Sequence, residues 1–234
     1  MGRVRYKVRE YLARRLNVPE IPFALERLAT SGFKPTRVFD VGAYQGDFAK
    51  LCLRIWPDCH VTCFEPLPHK VRELNELARL DAIQVVPGLL GAQANQYVAV
   101  HEMETASSVL EEHIEQRAPV SFHPMRTIDQ FVQEQCARPD LLKLDVQGYE
   151  MEVLRGAEKT LPQIQVILAE LNFLDIHRGV PLVSEVIEWL NGRDWVAYDI
   201  CGLTRRPLDR ALWQADFLFV PRHSPLRADK RWSG

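Results

Sequence analysis

Four short apolar runs in this chain end in a carboxylate: "RVFD" at Asp40, "VTCFE" at Glu65, "LLKLD" at Asp145 and "ILAE" at Glu170. In an open α/β sheet, strand ends of this kind gather around one crevice, and ligands bind there. Asp40 opens the loop "DVGAYQG", in which Gly42 and Gly46 let the backbone approach a ligand and Ala43 and Tyr44 lie between them. The loop lacks the G-x-G-x-x-G spacing of a dinucleotide site, and Asp40 suits an ammonium or a hydroxyl better than a phosphate. Glu65, followed by Pro66, stands where an acidic side chain accepts hydrogen bonds from ribose hydroxyls. A ligand with an adenosine ribose, a cationic amino-acid end and no phosphate meets these needs, and S-adenosylmethionine is such a ligand.

The other two carboxylates suit work on a hydroxyl group. A strand-end carboxylate can orient a hydroxyl or accept its proton, and Asp145 ends its run beside the position expected for the ligand. Glu170 and Asn172 end the next run, so Asp145, Glu170 and Asn172 form a candidate Mg²⁺ set; the alternative is that they hydrogen-bond the substrate. Gln147 can face the same cleft but, as an amide, only orients. Glu150 falls in the first turn of a helix, where the dipole favours a carboxylate and a capping role competes with a catalytic one. Among the histidines, His177 in "LDIHRG" is the candidate general base, because its loop borders the cleft.

The elements that must position these groups follow from periodicity. Strands are expected at Arg37 to Val41, His60 to Phe64, Ile83 to Val86, Leu141 to Asp145 and Val166 to Glu170. Helices are expected between most of them, at Phe48 to Trp56, His69 to Leu80, Glu150 to Leu161 and Leu182 to Asn191. Such alternation predicts an open, doubly wound, mostly parallel sheet with helices on both faces. The interval 88–126 breaks the pattern and reads as an insertion with an acidic stretch (Glu102, Glu104, Glu111, Glu112, Glu115). "WVAYDI" and "ADFLFV" are joined too closely for a crossover helix, so an antiparallel closing pair is expected. Residues 1–30 read as an N-terminal helical extension, 31–222 as the main domain and 223–234 as a tail.

With 234 residues, 47% hydrophobic and 26% charged, the chain is long enough for one substantial core. A net charge of −2 gives no whole-molecule attraction to nucleic acid. The five cysteines include no C-x-x-C pair and read as buried, reduced thiols. Arg3 to Leu16 has the pattern of a basic amphipathic helix, packed on the domain or docked on a membrane surface or an acidic partner. No signal-peptide core follows the N-terminal charges and no run is long enough to span a bilayer, so a cytoplasmic protein is expected.

Taken in order, "VFDVGAYQGDFA", "CFEPLPHKVRELNELA", "RTIDQF", "LLKLDVQGYEMEVLRGAEKTL" and "AELNF" resemble the FkbM family of S-adenosylmethionine-dependent methyltransferases. The resemblance implies a class I Rossmann-like fold, a seven-stranded sheet with an antiparallel last strand, and methyl transfer to a hydroxyl of a saccharide or other small metabolite. It also implies that Asp40, Gly42 and Gly46 belong to the cofactor loop, that Glu65 is the ribose ligand and that Asp145 is the residue orienting or deprotonating the hydroxyl. Ser107 and Ser108 resemble a Ser-rich stretch of the family on the substrate side. Tyr44 stands where the family often has Asn, and Ala92 where it often has Asp. Two other readings stay open: a binding module that kept the fold and lost catalysis, docking through the basic helix, and a nicotinamide oxidoreductase, disfavoured by the missing glycine spacing.

Overall fold

The computed structural model describes residues 11, 13–78, 82–101, 109–110 and 120–233. Most of the basic N-terminal helix, the acidic residues of the interval 88–126, Ser107 and Ser108 lie outside the described residues. The chain runs α1 (Ile21–Thr30), β1 (Arg37–Val41), α2 (Asp47–Ile55), β2 (His60–Glu65), α3 (Pro68–Leu77), β3 (Ile83–Pro87), β4 (Leu89–Leu90), β5 (Gln96–His101) and β6 (Val120–Arg126). It continues through α4 (Ile128–Gln135), β7 (Leu141–Leu144), α5 (Glu150–Arg155), β8 (Val166–Asn172), α6 (Val183–Asn191), β9 (Trp195–Arg205) and β10 (Leu212–Pro221).

Seven strands form one sheet in the order β3-β2-β1-β7-β8-β10-β9. β3, β2, β1, β7 and β8 are parallel, and β10 runs antiparallel to both neighbours. The doubly wound sheet and the antiparallel last strand are therefore both present, with β10 inserted between β8 and β9. Strand alternation sends Phe39 and Val41 of β1 to one face and Val38 to the other, and each face carries its own core. On one face α4, α5 and α6 bury Phe131, Leu154 and Leu190; on the other α1, α2 and α3 bury Leu25, Cys52 and Leu74. Leu25 and Leu28 of α1 sit in the same core as Val38, so this part of the N-terminal extension packs as part of the domain. Four cysteines are buried free thiols, whereas Cys136, in the left-handed position that ends α4, is exposed.

The interval 88–126 is in part a second sheet, of order β4-β6-β5, whose inner face buries Val100 and Met125 against Leu67 and Leu89. The helix expected to reach Leu161 stops at Arg155 with Gly156 as its cap residue, and Gly156 packs against the residue that follows β4: a Cβ there would sit 2.0 Å from the Gly91 carbonyl oxygen. Gly156→Ala is therefore expected to lower stability by about 1–3 kcal/mol, since backbone must yield to admit one carbon. Gly192→Ala is the control, because its added carbon meets nothing nearer than 3.6 Å. Urea unfolding of the two variants compares them directly.

Candidate active site

The chain leaves β1 through Gly42, with φ at 78°. A Cβ at this position would lie 1.9 Å from the Asp145 carbonyl oxygen, so both the left-handed backbone and the close approach of the β1 and β7 ends require glycine. Two residues on, the Tyr44 N–H donates to Glu65 Oε2 at 2.9 Å, while the Leu67 N–H donates to Glu65 Oε1 at 3.0 Å. Glu65 thus ties together the loops that follow β1 and β2. Burial raises its carboxyl above the ordinary range, and the two N–H donors pull it partly back. The Lys70 ammonium lies 4.0 Å over the Tyr44 ring and steadies the side of the loop.

Lys143, in the middle of β7, supports this loop from beneath. Its Nζ donates to the Gly42 carbonyl at 2.8 Å and lies 3.1 Å from Asp40 and 3.4 Å from Asp145. Burial pushes the ammonium down, but Asp40 and Asp145 outweigh it and hold Lys143 above its usual range. Across the sheet, Gln147 Nε2 donates to Asp145 Oδ1 at 3.0 Å and to Glu170 Oε2 at 2.9 Å. Burial, with the carboxyls of Asp145, Asp216 and Glu150 nearby, pushes Glu170 up to about 9, so Glu170 keeps its proton at neutral pH. Glu150, pushed up to about 7 by burial, accepts from the Val146 and Gly148 N–H groups at 2.9 and 3.2 Å and closes the turn ahead of α5.

These two glutamates make stability depend on pH. The unfolded chain gives up both protons near pH 4.5, whereas the folded protein holds them until about 7 and about 9. Their contribution is therefore fully present below pH 4.5 and is lost as pH rises, by at most about 1.4 kcal/mol per pH unit for each group. The urea midpoint is expected to fall between about pH 5 and pH 9, and Glu170→Gln is expected to flatten the fall above pH 7.

Gly42, Tyr44, Glu65, Pro66, Asp145, Gln147 and Glu170 all line one cavity of about 460 Å³ at the carboxyl ends of the strands. The other expected site residues stand elsewhere. Asp40 is fully buried in its ion pair with Lys143, because alternation along β1 points it away from the cavity that Val41 lines. Ala43 and Gly46 are not in the wall; a Cβ on Gly46 would meet Leu74 and Leu77 within 3 Å, so this glycine serves the packing of α3. His177 is buried and is not in the wall, which removes it as the general base. Asn172 is also buried off the wall, paired through its backbone with Gln214 and Leu182.

The Mg²⁺ set does not assemble. Gln147 places an N–H₂ donor between Asp145 and Glu170, where a cation would sit, and Asn172 does not reach the cavity. Among the described residues, no three His, Cys, Asp or Glu side chains cluster so as to hold a metal. In return the cavity gains residues that strand periodicity did not single out, namely Thr204, Trp213 and Gln214 from the closing hairpin. Lys143 was not singled out either, although a charge inside an apolar strand is a signal, since a lysine there must find anionic partners.

Comparison with known proteins bears on this cavity. Residues 40–196 match the model of the Methyltransferase FkbM domain. The chain is 22% identical over 178 residues to the 2-O-methyltransferase NoeI of Sinorhizobium fredii (strain NBRC 101917 / NGR234), covering 68% of this chain and 73% of that protein. The structure of Methyltransferase FkbM from Methylobacillus flagellatus KT is 16% identical with a TM-score of 0.49, over 79% of this chain and 43% of that one. The present chain thus spans less than half the length of that relative. A Klebsiella pneumoniae protein ascribed to the O-methyltransferases shares the fold at 14% identity and a TM-score of 0.51, over 86% of this chain and 78% of that one. Among the described residues no helix is long and apolar enough to cross a membrane. The matched segment takes in the Gly42 loop, Glu65, Asp145 and Glu170, and the chain belongs to the FkbM family of S-adenosylmethionine-dependent methyltransferases.

Proposed function

We propose that the protein transfers a methyl group from S-adenosylmethionine to a hydroxyl of a saccharide or another small metabolite. The observation that carries this reading is that Glu65 and Asp145 share one cavity wall, the first beside a glycine loop and the second beside a hydrogen-bonded pair of amide and carboxyl groups. S-adenosylmethionine supplies an electrophilic sulfonium methyl group when bound. Glu65 spends one lone pair of each oxygen on the Tyr44 and Leu67 N–H groups and keeps the others for the ribose hydroxyls. Gly42 leaves room for the ligand's amino-acid end to approach backbone.

At the other end, Asp145 would orient the acceptor hydroxyl and accept its proton as the methyl carbon exchanges its bond to sulfur for one to that oxygen. Gln147 holds Asp145 and the protonated Glu170 in place, so that one carboxyl receives while its neighbour stays neutral. The relationship to a 2-O-methyltransferase supports oxygen as the acceptor atom.

Calorimetry with S-adenosylhomocysteine, followed by transfer of a radiolabelled methyl group to a panel of hydroxyl compounds, tests the reading. Micromolar binding and label appearing in an ether linkage are expected; an absence of binding heat ends the proposal.

A further inference from the structure

A second cavity, of about 700 Å³, opens between the start of α1 and the β9–β10 pair, with the last turn of α2 at its side. Two charged groups in its wall have no partner among the described residues. Asp216 of β10 makes no side-chain hydrogen bond and no ion pair there, and its oxygens are not sealed in the core as those of Asp40 are. Its carboxylate lies over Gly202 of β9, in the same wall: a Cβ on Gly202 would sit 1.8 Å from Asp216 Oδ2, so only glycine leaves the carboxylate its place. Arg54, in the last turn of α2, is exposed and likewise makes no hydrogen bond or ion pair among the described residues.

Asp216 and Arg54 do not pair with each other, so one ligand carrying both charges can meet both. The other charges of the wall are Glu20 and the Arg14–Glu26 pair, 2.7 Å apart. With three carboxyls against two guanidiniums, the wall disfavours a plain anion, and a plain amine would leave Arg54 unmet. Burial, with Asp145 nearby, pushes the Asp216 carboxyl up to about 6, so most of it is ionised at neutral pH and can receive an ammonium. Much of the remaining wall is apolar, with Ile21, Phe23 and Cys201, which suits a hydrocarbon side chain. Asp216 stands across from Glu170 in the β8–β10 pairing, yet Glu170 lines the first cavity and Asp216 the second, and the two cavities share no wall residue.

We propose that this second cavity binds a small zwitterion of the apolar amino-acid type, with its ammonium on Asp216 and its carboxylate on Arg54. The inference goes beyond the methyltransferase reading and does not depend on it. It is tested by calorimetry with L-leucine on protein saturated with S-adenosylhomocysteine, which keeps the amino acid out of the first cavity. Two further probes each lack one charge: isopentylamine has no carboxylate, and isocaproate has no ammonium.

Leucine is expected to bind with millimolar affinity or better, and each one-charge probe about tenfold more weakly. Arg54→Met is expected to weaken leucine about tenfold and to leave isopentylamine unchanged. Asp216→Asn is expected to weaken leucine and isopentylamine and not to weaken isocaproate. Arg54 is exposed, so its variant carries the comparison if the Asp216 variant does not fold. The inference is overturned if leucine does not bind, if isopentylamine binds as tightly as leucine, or if either folded variant binds leucine as the wild type does. Failure to bind S-adenosylhomocysteine is a separate outcome: it overturns the methyltransferase reading, and the two variants still decide this one.

Discussion

Lys143→Met is expected to lower the stability of the protein by about 3–5 kcal/mol, because it leaves a carboxylate in the core without its partner. Asp40 is fully buried, and Lys143 is its ion-pair partner at 3.1 Å. The same substitution frees the Gly42 carbonyl and removes the cation beside Asp145, so the Gly42 loop and the Asp145 side of the cavity loosen together. Adding Asp40→Asn to Lys143→Met is expected to restore a large part of the loss, since the double variant buries no unpaired charge. Urea unfolding of the two single variants and the double variant forms the test. A Lys143→Met cost no larger than that of an average surface change, or a double variant no better than the single, would show that the buried pair does not hold the site together.

The second large effect concerns affinity. Glu65→Ala removes the acceptor from two backbone N–H groups and, on the proposed function, from the ribose as well, and it is expected to weaken S-adenosylhomocysteine binding by roughly 10- to 100-fold, equivalent to about 1.5–3 kcal/mol. Glu65→Gln keeps one acceptor oxygen and the shape of the side chain, so its loss should fall between the two. Titration calorimetry separates the three proteins, and an unchanged affinity in the Ala variant would place the ribose elsewhere.

Much of the scaffold was legible from periodicity. The buried strands read as apolar runs because both faces of a covered sheet are dry, and β1, β2, β3, β7 and β8 lie where those runs do. The glycine loop and the strand-end carboxylates that line the cavity were legible too, since both are local signals. Gly42, Tyr44, Glu65 and Pro66 meet in space because β1 and β2 are adjacent. Asp40 was misplaced for a reason with the same period as the strand: shifting by one residue changes the face, and the sequence pattern does not say which face the ligand occupies. His177 and Asn172 were drawn into the site by their positions after β8, but the fold of that segment buries both away from the wall. Trp213 escaped notice because a bulge is set by pairing between β9 and β10, and no single strand reveals the pairing in its own sequence.

The place of β10 bears on how the protein comes to be made. It follows β9 in the chain yet lies inside it in the sheet, and it contributes Phe217 and Phe219 to one core and Leu218 and Val220 to the other. A growing chain that has produced everything through β9 still lacks the strand that joins β9 to β8. The end of the cavity built from β1 and β2 has its strands and loops by then, whereas Trp213 and Gln214 arrive with β10 itself. During synthesis the side of the cavity built from β9 and β10 is thus completed after the side built from β1 and β2, and the sheet closes by long-range pairing, the slow kind of contact in folding.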